Sequence, residues 1–266
     1  MHPYFDQPRP HLFAHQGASG EAPSNTLPAF ERALELGIVY LETDCHATRD
    51  GEIVLCHDET VDATTDGSGA IADYSFAELS ALDAGHRFSP DGQAFPFRGT
   101  SVRIPRLVEV LERFPGARIN LEVKQGDLAV VQDVVRIVQR ADATQRVLLA
   151  AAEDAVMESI RKLDPGTAIG SSLGDLVGFY QALQEQRIDR FQPLGHALQI
   201  PTQFAGNPLI TSESLAAAHR LGLLVHVWTI NEPDEMRRLL EAGVDGVMSD
   251  FPGELLQVAR DVAAAR

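Results

Sequence analysis

Strand-like and helix-like segments alternate along almost the whole chain. Eight segments carry strand patterns: 11–15, 39–47, 118–124, 146–151, 167–171, 197–200, 224–230 and 245–249. Helical patterns lie between most of them, for example at 25–36, 106–114, 128–141, 213–221 and 232–241. This alternation predicts a parallel sheet with helices outside it. Eight strands in about 250 residues are the count for a closed α/β fold, the (β/α)8 or TIM barrel, and an open doubly wound sheet is the alternative.

One segment, 59–104, interrupts the alternation. It is rich in Gly, Asp, Pro and Phe, and its only helical run lies near 76–82. This segment is too long for an ordinary βα loop, so we expect it to be an insertion at one end of the barrel. The chain as a whole is predicted to be a single domain over 1–266, with the insertion at about 59–104. Active sites of β/α barrels lie at the C-terminal ends of the strands, where such insertions form lids. A surface excursion without a function is the alternative.

The composition excludes several classes of function. The chain has 22 Lys and Arg against 38 Asp and Glu, which gives a net charge of −16, and 44% of its 266 residues are hydrophobic. It is therefore too apolar to be disordered and too acidic to bind nucleic acid or anionic lipid well. The first ten residues lack the pattern of a secretory signal, and no apolar run approaches the ~20 residues of a membrane span. We expect a soluble, cytoplasmic protein without stable membrane insertion.

An Asp-Gly dipeptide at 50–51 predicts a two-residue hairpin turn. Such a turn pairs Asp44 with His57 and Cys45 with Cys56. This register makes the two cysteines neighbours in the core, and in a reducing compartment we expect them to be reduced thiols. A cross-strand disulfide is the alternative.

Alternation of side chains along the first arm of this hairpin brings polar groups together. Glu42, Asp44 and His46 share one face, and His57 joins them from the partner arm. Two carboxylates and an imidazole therefore converge. The opposite face is predicted to be apolar and contains Leu41, Cys45, Val54 and Cys56.

A second acidic strand is predicted at 120–124. There Asn120, Glu122 and Lys124 point to the same side, and burial of the two charges requires a partner or a cation. With Glu42 and Asp44 on the adjacent strand, three carboxylates face one cavity. An all-oxygen set of this kind suits one divalent cation, Mg²⁺ or Ca²⁺. A Glu122–Lys124 pair that only neutralises itself is the alternative.

The first strand ends in Ala14, His15, Gln16 and Gly17. The following Gly-rich turn leads to a helix that begins near 24–26, and backbone N–H groups in such a turn can bind an anion. Two histidines beside a divalent cation indicate acid–base chemistry at a phosphate ester.

These residues resemble those of the glycerophosphodiester phosphodiesterase family, and the match runs in order along nearly the whole chain. The matching segments are 15–26 (HQGASGEAPSNT), 41–46 (LETDCH), 49–51 (RDG), 56–58 (CHD), 64–69 (TTDGSG), 120–124 (NLEVK), 227–231 (VWTIN) and 245–250 (DGVMSD). The resemblance implies a β/α barrel in which the segment after the hairpin forms an inserted subdomain.

The resemblance also implies roles for individual residues. Glu42, Asp44 and Glu122 would bind the metal, and His15 and His57 would be the general acid–base pair. The implied reaction cleaves a glycerophosphodiester, a small molecule, to sn-glycerol 3-phosphate and an alcohol. In the implied mechanism a neighbouring glycerol hydroxyl attacks first to form a cyclic phosphate, and water opens it afterwards.

Three further residues would contact the substrate. By resemblance, Lys124 contacts the phosphate and Trp228 lines the pocket. Gln16 stands where the family usually has arginine, so it can donate a hydrogen bond to phosphate but supplies no charge. Gln16 is the one feature that favours a non-catalytic binder of phosphorylated ligands.

A lysophospholipase D-like hydrolase that acts on lysophospholipids is the alternative enzyme. Segments 42–46 and 95–99 are similar to those of family members with such substrates. Phe88, Phe95 and Phe97 in the insertion would offer an acyl-binding surface, or else form a small core of their own.

Overall fold

A closed barrel of eight parallel strands lies at the centre of the computed structural model, which describes residues 1–265. The barrel strands are β1 (His11–Ala14), β2 (Tyr40–Ala47), β4 (Arg118–Val123), β5 (Val147–Ala150), β6 (Ala168–Ile169), β7 (Ala197–Ile200), β10 (Leu224–Val227) and β11 (Gly246–Ser249). Three more strands lie outside the barrel wall: β3 (Ile53–Leu55), β8 (Gln203–Phe204) and β9 (Asn207–Pro208).

The barrel closes between β6 and β7, the fifth and sixth barrel strands along the chain. The strands follow the order β6-β5-β4-β2-β1-β11-β10-β7, and a parallel bridge between Gly170 and Ala197 joins the two ends. The predicted barrel is confirmed, and the open doubly wound sheet is wrong.

Helices surround the strands, as their apolar spacing predicts. They are α1 (Leu27–Glu35), α2 (Phe76–Leu79), α3 (Leu107–Arg113), α4 (Leu128–Arg140), α5 (Asp154–Leu163), α6 (Leu173–Gln184), α7 (Ser212–Arg220), α8 (Pro233–Ala242) and α9 (Pro252–Ala264). Helix α1 shows the principle, because its buried residues Ala29, Phe30 and Ala33 follow helical spacing and form one face. Among residues 1–265, no helix combines the length and the apolar character that crossing a membrane requires.

The hairpin formed by β2 and β3 has a three-residue loop rather than the predicted two-residue turn. The Thr48 N–H donates to the Glu52 carbonyl at 2.9 Å, which closes the loop, and Gly51 has a left-handed φ of +84°. Loops with a left-handed glycine at the third position are a common alternative to two-residue turns. The extra loop residue shifts the register by one, so that Cys45 pairs with Leu55.

The shifted register corrects the predicted pairs and faces. Asp44 does not pair with His57, and Cys45 does not pair with Cys56. Cys45 packs in the barrel core, whereas Val54 and Cys56 pack with the inserted segment, so the prediction that they share the face of Cys45 is wrong. Both thiols are free and buried, but they lie in different apolar clusters.

The inserted segment 59–104 has a small core of its own. Its buried apolar residues include Val61, Ile71, Leu79 and Ile104. The rings of Phe88 and Phe97 meet edge to face with centroids 5.4 Å apart, and the Arg98 guanidinium lies 3.7 Å from the centroid of Phe95. The three aromatic residues therefore serve the packing of the insertion.

The N-terminal segment closes the end of the barrel where the strands begin. Tyr4 and Phe5 are buried, and the Tyr4 carbonyl accepts hydrogen bonds from Tyr40 Oη at 2.8 Å and Arg118 Nε at 3.0 Å. This plug fixes the starts of β2 and β4, the two strands that carry the acidic residues.

Two histidines are buried at the same end. His226 Nε2 lies 3.5 Å from His11 Nδ1, and His226 has no exposed surface. Burial, and then the neighbouring His11, lower the pKa of His226 to about 3. His226 therefore stays neutral in the folded protein at pH values where a histidine of the unfolded chain is protonated.

This difference predicts a loss of stability in acid. Between the unfolded pKa of 6.5 and the folded pKa of about 3, the unfolded state binds more protons, so stability falls as pH falls. From pH 7 to pH 5 the contribution of His226 is about 2 kcal/mol. Urea unfolding should show a smaller acid-induced loss in His226→Gln than in the wild type. Equal losses in the two proteins would contradict the assignment.

Candidate active site

Three carboxylates converge where β2 and β4 end. Glu42 and Asp44 alternate with Thr43 along β2, and the parallel register pairs Asp44 with Glu122 of β4. One oxygen of each of the three carboxylates lies within 4.8 Å of the others. The predicted convergence of carboxylates is thus present in the structure, and its all-oxygen donor set fits a hard divalent cation.

The cluster carries more negative charge than the protein neutralises. Lys124 Nζ lies 3.0 Å from Asp44 Oδ1 and 3.0 Å from Glu122 Oε2, so one ammonium serves two carboxylates. Burial, and then the charge of Asp44, raise the pKa of Glu42 to about 8. Glu42 therefore retains a proton at neutral pH unless another positive charge replaces it, and a divalent cation would supply that charge.

Two groups from the loop after β1 hold the carboxylates in place. The Gln16 backbone N–H donates to Glu42 Oε2 at 3.1 Å, and Asn25 Nδ2 donates to Asp44 Oδ2 at 3.3 Å. Thr43 Oγ1 in turn donates to Asn25 Oδ1 at 2.5 Å. Buried carboxylates with such partners keep their orientation, as a metal site requires.

Glycine is required within this loop. Gly17 has a φ of +81°, and a Cβ atom there would lie 2.7 Å from the backbone of Ala29. The loop therefore packs directly on α1, which fixes His15 and Gln16 on the side of the carboxylates.

His15 is oriented by a carboxylate that the sequence analysis did not assign. His15 Nδ1 donates to Asp250 Oδ1 at 2.7 Å, and His15 Nε2 lies 3.8 Å from Glu42 Oε2. Burial lowers the pKa of His15, but the hydrogen bond to Asp250 and the charges of Glu42 and Asp250 outweigh it and raise that pKa.

Asp250 is itself held from two sides. Ser19 Oγ donates to Asp250 Oδ1 at 2.7 Å, and Asn231 Nδ2 donates to Asp250 Oδ2 at 2.6 Å. Both Asn231 and Asp250 lie in segments, 227–231 and 245–250, that resemble the family, and this was the available signal for them.

His57 reaches the site although the predicted register was wrong. It follows the end of β3, its side chain is half exposed, and its Nδ1 donates to Asp58 Oδ1 at 2.8 Å. His46 Nε2 donates to the His57 carbonyl at 3.2 Å, so His46 supports the backbone here and does not line the cavity of the carboxylates.

A cavity of about 890 Å³ contains most of the predicted site. Its lining includes both histidines, the three carboxylates, Asn120, Lys124 and Trp228. The opposite wall is apolar and comes from α6 and the β8–β9 hairpin. None of the residues 59–104 lines this cavity, so Phe88, Phe95 and Phe97 do not form the acyl-binding surface considered from the sequence.

Gln16 and the insertion meet at a second, smaller cavity of about 210 Å³. Its lining includes Gln16, Asn25, Thr64 and Ile104, and it shares His57 with the larger cavity. The inserted segment thus forms a wall beside the site. Its action as a lid and the contact of Gln16 with phosphate remain predictions.

The model of the glycerophosphoryl diester phosphodiesterase family matches residues 15–254. This chain belongs to that family. The matched span contains both histidines, the three carboxylates and Asp250, and the family is one of phosphoric diester hydrolases.

Known members of the glycerophosphoryl diester phosphodiesterase family are similar over most of their length. A glycerophosphodiester phosphodiesterase of Caldanaerobacter subterraneus subsp. tengcongensis is 30% identical, with 94% of this chain and 97% of that protein covered. A lysophospholipase D of Rattus norvegicus is 26% identical, with 94% of this chain and 86% of that protein covered. An Oleispira antarctica phosphodiesterase, solved in complex with the product sn-glycerol-3-phosphate, has a TM-score of 0.78 and 28% identity, with 95% of this chain and 97% of that chain covered.

The Asp250–His15 contact generates a test. In Asp250→Asn the amide cannot compensate a protonated imidazole and does not select the same tautomer, so we expect kcat to fall about tenfold or more. KM should change little, whereas the thermal unfolding temperature should fall modestly, because the new N–H₂ group faces a donor where a carboxylate oxygen accepted a hydrogen bond. Asp261→Asn, an exposed change on α9, is the control. Equal kcat values for the wild type and Asp250→Asn would show that Asp250 does not orient His15.

Proposed function

We propose that this chain, as a single domain, hydrolyses glycerophosphodiesters to sn-glycerol 3-phosphate and an alcohol with the help of one divalent cation. The observation that carries the proposal is the cluster of Glu42, Asp44 and Glu122, which shares one cavity with two histidines. The sn-glycerol-3-phosphate in the Oleispira antarctica structure supports the choice of product.

The three carboxylates are the groups that would hold the cation, either Mg²⁺ or Ca²⁺. When bound, the cation would neutralise charge on the phosphate oxygens and polarise the P–O bonds. Lys124 then has less carboxylate charge to compensate and is free to contact a phosphate oxygen. Gln16 adds a hydrogen bond without the charge that an arginine supplies.

The two histidines carry the proton transfers. Because His15 Nδ1 is fixed on Asp250, its Nε2 is the atom that gives or takes a proton. One histidine accepts the proton of the attacking glycerol hydroxyl as the new P–O bond forms. The other, His15 or His57, donates a proton to the alcohol oxygen as its bond to phosphorus breaks. Water then opens the cyclic phosphate: its oxygen bonds to phosphorus and a proton goes to the released glycerol oxygen, which gives sn-glycerol 3-phosphate.

The same set of groups argues against a non-catalytic binder. Capture of a phosphate needs only positive charge, which Lys124 and a bound cation would supply, whereas the two imidazoles in the same cavity are groups that a hydrolytic site uses for proton transfer. Gln16 is the one residue that favours the binder, and its backbone N–H still orients Glu42.

A second candidate function has specific support. The cavity wall opposite the carboxylates is apolar, which suits a lysophospholipid better than a small, fully polar glycerophosphodiester. Activity as a lysophospholipase D uses the same cation and the same histidines, so the two candidates differ only in what the substrate places against that wall.

Removal of the cation tests the metal site. We expect EDTA to abolish hydrolysis of a water-soluble chromogenic phosphodiester, and added Mg²⁺ or Ca²⁺ to restore it, because three clustered carboxylates repel a phosphate when no cation is bound. The released phosphate ester should be identified as sn-glycerol 3-phosphate when glycerophosphocholine is the substrate. Full activity in metal-free buffer would contradict the proposal.

Alanine substitutions test the histidines. His15→Ala and His57→Ala should each lower kcat by about 10²- to 10⁴-fold, the usual contribution of general acid–base catalysis. His86→Ala, a change in the inserted segment away from the cavity, is the matched control and should retain activity. Near-normal turnover by His57→Ala would show that this histidine, although it lines the cavity, does not transfer the proton.

A further inference from the structure

Polar side chains without a partner gather around the second cavity of about 210 Å³, which we call the small cavity. The side-chain amide of Gln16 and the hydroxyls of Ser24 and Thr64 line it and make no hydrogen bond within residues 1–265. Such groups offer donors and acceptors to whatever fills the cavity. A mere gap in the packing would be lined by apolar groups, so this convergence indicates a binding site.

The backbone of the loop after β1 is strained where it reaches the small cavity. Gln16 and Asn25 have left-handed φ values of +53° and +56°, and the Asn25 N–H donates to the Gln16 carbonyl at 2.9 Å. Residues other than glycine rarely adopt this conformation, and strain of this kind is concentrated at functional sites. As a result, the Gln16 backbone N–H serves Glu42, while the Gln16 side chain lines the small cavity and not the large one.

The lining of the small cavity suits a ligand that donates hydrogen bonds. Gln16 Oε1, the two hydroxyls and the Asp58 carboxylate are all acceptors. Among the described residues, no lysine, no arginine and no aromatic ring other than the His57 imidazole lines it. A quaternary ammonium group has no N–H to donate and is bound best by aromatic rings, so it has no suitable partner here. A hydroxyl or a primary ammonium group would find several.

The small cavity adjoins the place of the phosphate in the proposed reaction. His57 lines both cavities, and Asn25, which lines the small one, donates to Asp44 in the large one. A phosphodiester at the carboxylates has two arms, and each cavity can receive one of them. Asp58 and Thr60 of the small cavity are exposed, so an alcohol released there reaches solvent without passing the carboxylates.

We propose that the small cavity binds the alcohol arm of the phosphodiester and selects alcohols that donate hydrogen bonds, with Gln16 and Thr64 as the residues that determine this specificity. The position of the phosphate in this inference rests on the proposed function. Glutamine suits the role because its amide accepts as well as donates. An arginine at the same position would only donate, and its charge would repel an ammonium group.

Two diesters that differ at a single group test this selection. Glycerophosphoethanolamine and glycerophosphocholine have the same net charge and the same length, but the first has N–H donors where the second has methyl groups. With the cation present, we expect the wild-type kcat/KM to be about tenfold or more higher for the ethanolamine diester, because hydrogen bonds to a charged group strengthen binding of that arm. Equal values, or a preference for the choline diester, would overturn the proposal.

Two variants test the residues that determine the specificity. Gln16→Met and Thr64→Val remove the polar group and keep the approximate size of the side chain, and each should lower the ratio of the two kcat/KM values about fivefold. A general loss of structure would lower both values and leave their ratio unchanged. Thr100→Val is the matched control, because Thr100 is exposed in the inserted segment and lines neither cavity. An unchanged ratio in both variants, or an equal fall in Thr100→Val, would overturn the proposal.

Binding without turnover separates this proposal from the proposed function. His15→Ala leaves every residue of the small cavity in place, so calorimetric titration of this variant with each diester in Ca²⁺ gives dissociation constants. We expect the ethanolamine diester to bind about tenfold more tightly, and Gln16→Met in the same background to reduce the difference. That difference, found together with no turnover by the wild type, would refute the proposed function and leave the small cavity as a site. Equal binding of the two diesters, or binding of neither, would overturn the small cavity.

Discussion

Parallel pairing of β2 with β4 places Asp44 beside Glu122, and the polar groups of the site are arranged around the charge that this pairing concentrates. Lys124 lies between the two carboxylates, and Asn25 donates to one of them. Glu42 lies two residues before Asp44, on the same face of β2. It adds a third carboxylate, which is buried and whose pKa is raised above the usual value. A cluster of this kind is unfavourable without a cation, which is the physical basis of the proposal that the site binds one.

The two ends of the cavity differ in chemical character. One end holds carboxylates and imidazoles on rigid barrel strands and the loops that follow them, where small errors of position are costly. The other end is an apolar surface on α6, one of the helices of the barrel, and on the short β8–β9 hairpin that follows β7.

Much of this arrangement follows from the sequence, because strands alternate their side chains with a period of two. That rule placed Glu42, Asp44 and Glu122 in one cavity without any knowledge of the hairpin. The predicted register of the hairpin was wrong, because the Asp-Gly dipeptide belongs to a three-residue loop in which Gly51 has a left-handed φ. His57 still lines the cavity because the chain leaves the strand before it.

Features that depend on contacts between distant parts of the chain could not be predicted from the sequence. The contact between His15 and Asp250 exists because β11 lies beside β1 in the closed barrel, and no local pattern encodes that adjacency. The apolar side of the large cavity depends on the positions of α6 and of the 203–208 hairpin, which only the folded chain defines. Composition alone directed attention to the phenylalanines of the insertion, which pack among themselves.

Calorimetric titration of the wild type with Mg²⁺ or Ca²⁺ at pH 7, in two buffers of different ionisation enthalpy, tests the central claim most directly. Because the pKa of Glu42 is raised to about 8, binding of one cation should release a proton, and the apparent enthalpy should differ between the buffers. Asp44→Asn should weaken the binding strongly, and Asp261→Asn should not. Equal binding by Asp44→Asn and the wild type, or no binding by either, would contradict the account.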